Sequence, residues 1–167
     1  MKIIVTGAIG HIGSYIIRDL GSFFPKSTIV MIDNMMTQRF PSLFNLPSGV
    51  NYQFIEGDVS QMNLKSIFTG ADAVIHLAGE NIAARRWSAK QKQEICKSRV
   101  YRTRKLCESL AALSKPPSVL LAASATGFYG NSDCRLIEHI YVNDSSGPKN
   151  NFRTACREES GKWAMIK

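Results

Sequence analysis

The first turn of the chain constrains its fold more than any other feature. The stretch "KIIVTGAIGHIGSYIIRDL" joins a short apolar run, Lys2–Thr6, to a helical pattern through glycines at Gly7, Gly10 and Gly13. A β-branched run of that length predicts a buried strand, and strands buried on both faces belong in parallel sheets covered by helices. The glycines then divide the work. The first permits a tight turn, the second lets the backbone approach a diphosphate, and the third lets the next helix pack closely on the strand. A helix N-terminus carries the positive end of its dipole, so the turn, with His11 and Ile12 inside it, reads as an anion cradle.

The rest of the chain continues the alternation. Strand-like runs at Thr28–Ile32, Asn51–Glu56, Ala73–Leu77 and Ser118–Ala123 are separated by helical patterns at His11–Gly21, Leu64–Phe68 and Ser88–Ser114. In the first helix Ile12, Tyr15, Ile16 and Leu20 recur at helical spacing and are the expected packing face. Residues 34–49 read as irregular, and Pro116 and Pro117 stop the long helix because neither can continue it. Such alternation predicts an α/β fold. It is a Rossmann-type doubly wound parallel sheet, order 3-2-1-4-5, with helices on both faces in a three-layer sandwich. Residues 127–151 read as a loop with a short strand near Leu136–Val142, and a last helix begins near Phe152. A length of 167 residues suits one domain, 1–167.

Asp33, at the end of the second strand in "IVMIDN", stands about 20 positions beyond the last glycine, where a carboxylate hydrogen-bonds the ribose diol of NAD. Asn34 is its neighbour at the same strand end. A 2′-phosphate would meet the negative charge of Asp33, so NAD is expected over NADP. The alternative for Asp33 is an ordinary turn cap.

Composition narrows the setting. The chain is 44% hydrophobic and 20% charged, in the range of globular proteins. No apolar run approaches the roughly 20 residues of a membrane helix, and no cleavable leader is visible, so a cytoplasmic location is expected. The cysteines Cys96, Cys107, Cys134 and Cys156 show no C-x-x-C spacing and are read as reduced thiols. His11 and His76 lack a neighbouring ligand cluster, so no metal is assigned. The net charge of +8 fits either nucleic acid or an anionic cofactor and substrate.

With these motifs in place, the chain resembles the extended short-chain dehydrogenase/reductase superfamily, the NAD-dependent epimerases and dehydratases of nucleotide sugars. "TGAIGHIG" resembles that group's T-G-x-x-G-x-x-G. "EGDVS", with Asp58 and Val59, is similar to its adenine-binding segment, and "VIHLAG", ending in Leu77, Ala78 and Gly79, to its fourth-strand signature. "ASATGFYG" is similar to the fifth-strand segment that carries the active-site serine, here Ser124. The resemblance implies a bound NAD, hydride exchange at a sugar carbinol and Ser124 orienting the substrate oxygen. Residues 1 to about 78 resemble nucleotide-sugar epimerases. "LAGENIAARRW", "SRVYRTR" and "DSSGPKNNFRTACREE" resemble an atypical epimerase-like branch, a junction that fits divergence or recombination of fragments, a chimera.

The resemblance also implies a general acid/base tyrosine with a lysine four residues later, opening the helix after the fifth strand. There the chain has "ACREESGKW", so that Cys156 and Ser160 would stand in those positions. Tyr101 and Lys105 have the spacing but lie on the helix before that strand. The site therefore reads as incomplete, and the domain as weakly active or inactive; the alternative is a non-catalytic binding or scaffold module. The resemblance implies a C-terminal sugar-binding lobe, most of which this single domain is expected to lack.

The stretch from Arg85 to Lys105 concentrates Arg86, Lys90, Lys92, Lys97, Arg99, Arg102 and Arg104 around a single acid, Glu94. Ile95, Val100, Leu106, Leu110 and Leu113 supply its packing stripe, so the charge is expected on a solvated face. A nucleotide-sugar diphosphate near Arg85 and Arg86 is an open alternative, and nucleic acid a weaker one, since few aromatics interleave. The family that the chain resembles often pairs subunits through this helix. Like charges would repel across such an axis, leaving the oligomeric state open.

Overall fold

The computed structural model describes residues 1–81 and 86–123. Its centre is a parallel sheet of five strands in the order β3-β2-β1-β4-β5. The strands are β1 (Lys2–Thr6), β2 (Thr28–Asp33), β3 (Asn51–Glu56), β4 (Ala73–His76) and β5 (Val119–Ala122). Val5 pairs with Met31 on one side and with Ile75 on the other, so β1 lies at the middle of the sheet. The expected order 3-2-1-4-5 is the observed one. The turn from right to left of β1 opens a crevice at the carboxyl ends of the strands.

Alternate residues of each strand feed opposite layers. Ile4, Val30, Ile32, Val74 and Leu120 face α2 (Leu64–Phe68) and α4 (Arg102–Ala111), which contribute Leu64, Phe68, Leu106 and Leu110. Ile3, Val5, Ile29, Met31 and Ile75 face α1 (Gly13–Phe23), which contributes Ile17. Phe68 is fully buried. Burying such a side chain stabilises the fold by roughly 1.5–3 kcal/mol.

Two helical expectations need correction. Helix α1 begins at Gly13, not at His11, and its buried face is Gly13, Ser14, Ile17 and Gly21. Ile12 and Tyr15 are 57% and 65% exposed, while Ile16 and Leu20 are only partly buried. The small residues let the helix lie close on the sheet, which rotates the large apolar ones outward. The long helix expected over Ser88–Ser114 is also not continuous in register. It runs as α3 (Ala89–Cys96), a π-helical turn (Lys97–Tyr101) and α4. Ser88 caps its start, its hydroxyl accepting from the Gln91 N–H at 3.2 Å. The segment 34–49 contains a 3-10 turn at Phe40–Leu43, and β4 stops one residue before the expected Leu77. The strand expected near Leu136–Val142 and the helix expected from Phe152 lie outside the described residues.

Candidate functional site

The glycine turn is built by backbone geometry. Gly7 has φ +70°, and its N–H donates to the Ile32 carbonyl of β2 at 2.8 Å. A Cβ there would approach the Ala78 nitrogen to 2.8 Å, so this position also holds the close passage of β4's exit. At Gly10 a Cβ would meet one neighbouring atom, the Gly7 carbonyl oxygen at 3.1 Å, and would otherwise project toward the crevice. Gly13 differs, because its Cβ would fall on the carbonyls of Gly7 and Ala8. The first two glycines shape a cradle, and the third seats the helix.

A cleft of about 510 Å³ opens over this turn at the carboxyl edge of the sheet. It brings together Gly7, Gly10, His11, Asp33, Asn34, Asp58, Val59, Leu77, Ala78 and Gly79. Ile12 and Gly13 do not line it; Ile12 points outward, and Gly13 is covered by the turn it supports. Ser124, Cys156 and Ser160 lie outside the described residues, as does Arg85. The volume, the missing Cβ atoms and an acid at the end of β2 fit a dinucleotide.

Asp33 is 7% exposed, and its carboxylate already has local partners. The Ile9 N–H donates to Oδ2 at 3.2 Å and the Met35 N–H to Oδ1 at 3.0 Å. The turn-cap reading and the ribose reading of Asp33 are therefore compatible. Two oxygens offer about four acceptor sites, and the cap uses half of them. Asp58 is held in a similar way. Ser60 donates to Oδ1 through its N–H at 2.8 Å and its hydroxyl at 2.7 Å, and Arg102 pairs with Oδ2 at 3.4 Å. Burial alone would raise the Asp58 pKa, but the Ser60 hydrogen bonds and the charges of Arg102 and Lys105 outweigh it and hold the group below its ordinary value.

Behind the cleft, His76 is buried between Thr6, whose hydroxyl lies 2.7 Å from Nδ1, and Thr103, whose hydroxyl lies 3.2 Å from Nε2. Burial, with a smaller contribution from the charge of Arg99, lowers its pKa to about 4. His76 is thus a neutral tie between β1, β4 and α4. Among the described residues no cluster of three or more His, Cys, Asp or Glu could hold a metal ion. Nor is any helix among them long and apolar enough to cross a membrane.

Several cleft residues were not among the site residues expected from the sequence: Met36, Thr37 and Arg39 after β2, Glu80 and Asn81 after β4, and Arg102 on α4. Arg39 Nη1 lies 3.1 Å from His11 Nδ1, which ties the loop after β2 to the glycine turn. The available signal was position, since loops at the carboxyl ends of strands collect ligands in open α/β sheets. Tyr101 and Lys105 do not line the cleft. Tyr101 is 61% exposed, and Lys105 Nζ donates to the Ser60 carbonyl. Of the basic stretch, Arg86, Lys90, Lys92, Lys97, Arg104 and Lys105 are exposed as expected, whereas Arg99 and Arg102 are half-buried against the sheet edge.

Known proteins are similar to this chain in sequence and in fold. Over 79 residues the chain is 43% identical to an epimerase family protein of Mycobacterium bovis, covering 47% of this chain and 25% of that protein. A chloroplastic epimerase family protein of Arabidopsis thaliana is 28% identical over 163 residues, 96% of this chain and 44% of that protein. The fold superposes, with a TM-score of 0.68 and 25% identity, on a UDP-glucuronic acid 4-epimerase from Bacillus cereus in complex with UDP-glucuronic acid and NAD. That match covers 85% of this chain and 46% of the epimerase. The chain therefore spans less than half the length of these relatives. The model of the NAD dependent epimerase/dehydratase family matches residues 3–151, and with the glycine turn, sheet order and cleft described above, this chain belongs to that family.

Proposed function

We propose that the chain is the cofactor-binding half of an epimerase or dehydratase, that it binds NAD in preference to NADP, and that alone it is weakly active or inactive. The observation that carries this reading is the convergence of Gly7, Gly10, Asp33 and Asp58 on one cleft. The turn and the N-terminus of α1, with His11, Ile12 and Gly13, would hold the diphosphate. Asp33 and Asn34 would take the adenosine ribose, Asp58 and Val59 the adenine, and Leu77, Ala78 and Gly79 would wall the nicotinamide side. When bound, NAD supplies a hydride acceptor. The substrate proposed is a nucleotide sugar, as held by the similar Bacillus cereus epimerase, with Ser124 orienting its reacting oxygen.

Low activity is supported by the position of the one Tyr/Lys pair at four-residue spacing. Tyr101 and Lys105 lie off the cleft, and Cys156 and Ser160 are poor acid/base substitutes for that pair. The test incubates the purified chain with NAD and UDP-glucuronic acid or UDP-glucose and follows the sugar by NMR. The expected result is NAD binding without accumulation of an epimer or keto-sugar. Turnover at a rate typical of enzymes, on the order of 10 per second, would contradict it.

A further inference from the structure

Asp58 and Arg102 meet in the cleft because the helix above it changes register. The Arg102 N–H donates to the Lys97 carbonyl five residues back, the mark of a π-helical turn, a feature that recurs at functional sites. One extra residue rotates everything after it by about 100° relative to an unbroken helix. Side chains within and after the turn reach the sheet's carboxyl edge together. Ser98 accepts from the Glu80 N–H at 3.1 Å, Thr103 bonds to His76 at 3.2 Å, and Arg102 pairs with Asp58 at 3.4 Å. Lys105, further along α4, binds the Ser60 carbonyl and holds the helix against the loop that carries Asp58.

The pair leaves bonding capacity facing the cleft. Asp58 Oδ1 is taken up by two donors from Ser60, whereas Oδ2 has Arg102 as its partner among the described residues. A carboxylate oxygen has two acceptor sites and a guanidinium five N–H donors in a fixed fork, so Oδ2 keeps an acceptor site and Arg102 keeps donors. An acceptor beside a donor complements adenine, which presents the N6 amine beside the N7 acceptor. Guanine and hypoxanthine carry an acceptor oxygen in place of that amine.

Resting on the reading that this cleft holds NAD, we infer that Arg102 is a base-reading residue, donating to adenine N7 while Asp58 accepts from the N6 amine. The probes are NAD and its 7-deazaadenine analogue, in which N7 is replaced by C–H. Both are titrated calorimetrically against the wild-type chain, Arg102→Met and Arg102→Lys, with thermal melting of each variant alongside. The wild type should bind NAD about tenfold more tightly than the analogue, a loss of about one charge-assisted hydrogen bond. Arg102→Met should bind both nucleotides equally, at the wild type's affinity for the analogue, and Arg102→Lys should restore part of the difference. Equal wild-type affinities for the two nucleotides overturn the inference and leave the cofactor reading standing, even where the variants fail to fold. Discrimination that survives in a folded Arg102→Met chain also overturns it. Absence of NAD binding to the folded wild type overturns the cofactor reading itself, and this inference with it.

Discussion

At the scale of single residues, Gly7 meets two demands that any side chain breaks: a φ of +70° and passage of the Ala78 nitrogen within 2.8 Å of a would-be Cβ. Gly70 shares the first demand, with φ +73°, but has nothing within 4 Å. Gly70→Ala should therefore cost about 1 kcal/mol, the left-handed strain alone, and Gly7→Ala at least about 1–2 kcal/mol more. Denaturant midpoints measure both, and equal losses would show that the close passage carries no weight. His76 supports a separate prediction. Its folded pKa is about 4, against 6.5 for an unperturbed imidazole. Between those values the unfolded chain binds a proton that the folded chain excludes, so this part of the stability is complete above pH 6.5 and declines as the pH falls toward 4. From pH 7 to pH 5 the loss should be about 2 kcal/mol. Urea unfolding at the two pH values should show this difference in the wild type and not in His76→Leu, whatever that variant's absolute stability.

At the scale of elements, α1 shows what the sequence made legible and what it concealed. Strand β1, the glycine turn and a following helix were readable because backbone sterics limit that spacing to few conformations. The buried face of α1 was not, because hydrophobic periodicity favours Ile12 and Tyr15 while close packing selects Gly13, Ser14 and Gly21. At Gly21 a Cβ would overlap the Tyr52 hydroxyl, which donates to the Ile17 carbonyl at 3.3 Å. Gly21→Ala should therefore lower stability by about 1–3 kcal/mol despite alanine's better helix propensity, and adding Tyr52→Phe should recover part of the loss. A thermal-melt double-mutant cycle checks this, and additive losses would contradict it. The π turn had a faint signal in the five-residue step from Ile95 to Val100, longer than helical spacing allows. Neither Arg39 nor Arg102 was singled out as a cleft residue by the pattern of its own segment. Their place at the cleft depends on a loop with positive φ at Met35 and Gln38, and on a helix register set by tertiary contacts.

At the scale of the whole molecule, the sheet order was readable because short crossovers between parallel strands leave few topologies, and the cleft then falls where the order reverses. The exposed lysines Lys90, Lys92 and Lys97 do not line that cleft, so the charge of +8 should affect NAD affinity weakly. Raising salt from about 50 to about 500 mM should weaken NAD binding less than about threefold, whereas binding to nucleic acid through this surface would fall far more steeply. The most direct test of the account is calorimetric titration of the chain with NAD and, separately, with NADP, repeated on Asp33→Ala. The account predicts one NAD per chain, NADP bound at least about tenfold more weakly, and near-equal affinities for the two in the variant. A folded wild-type chain that binds neither nucleotide, or binds both equally, would contradict it.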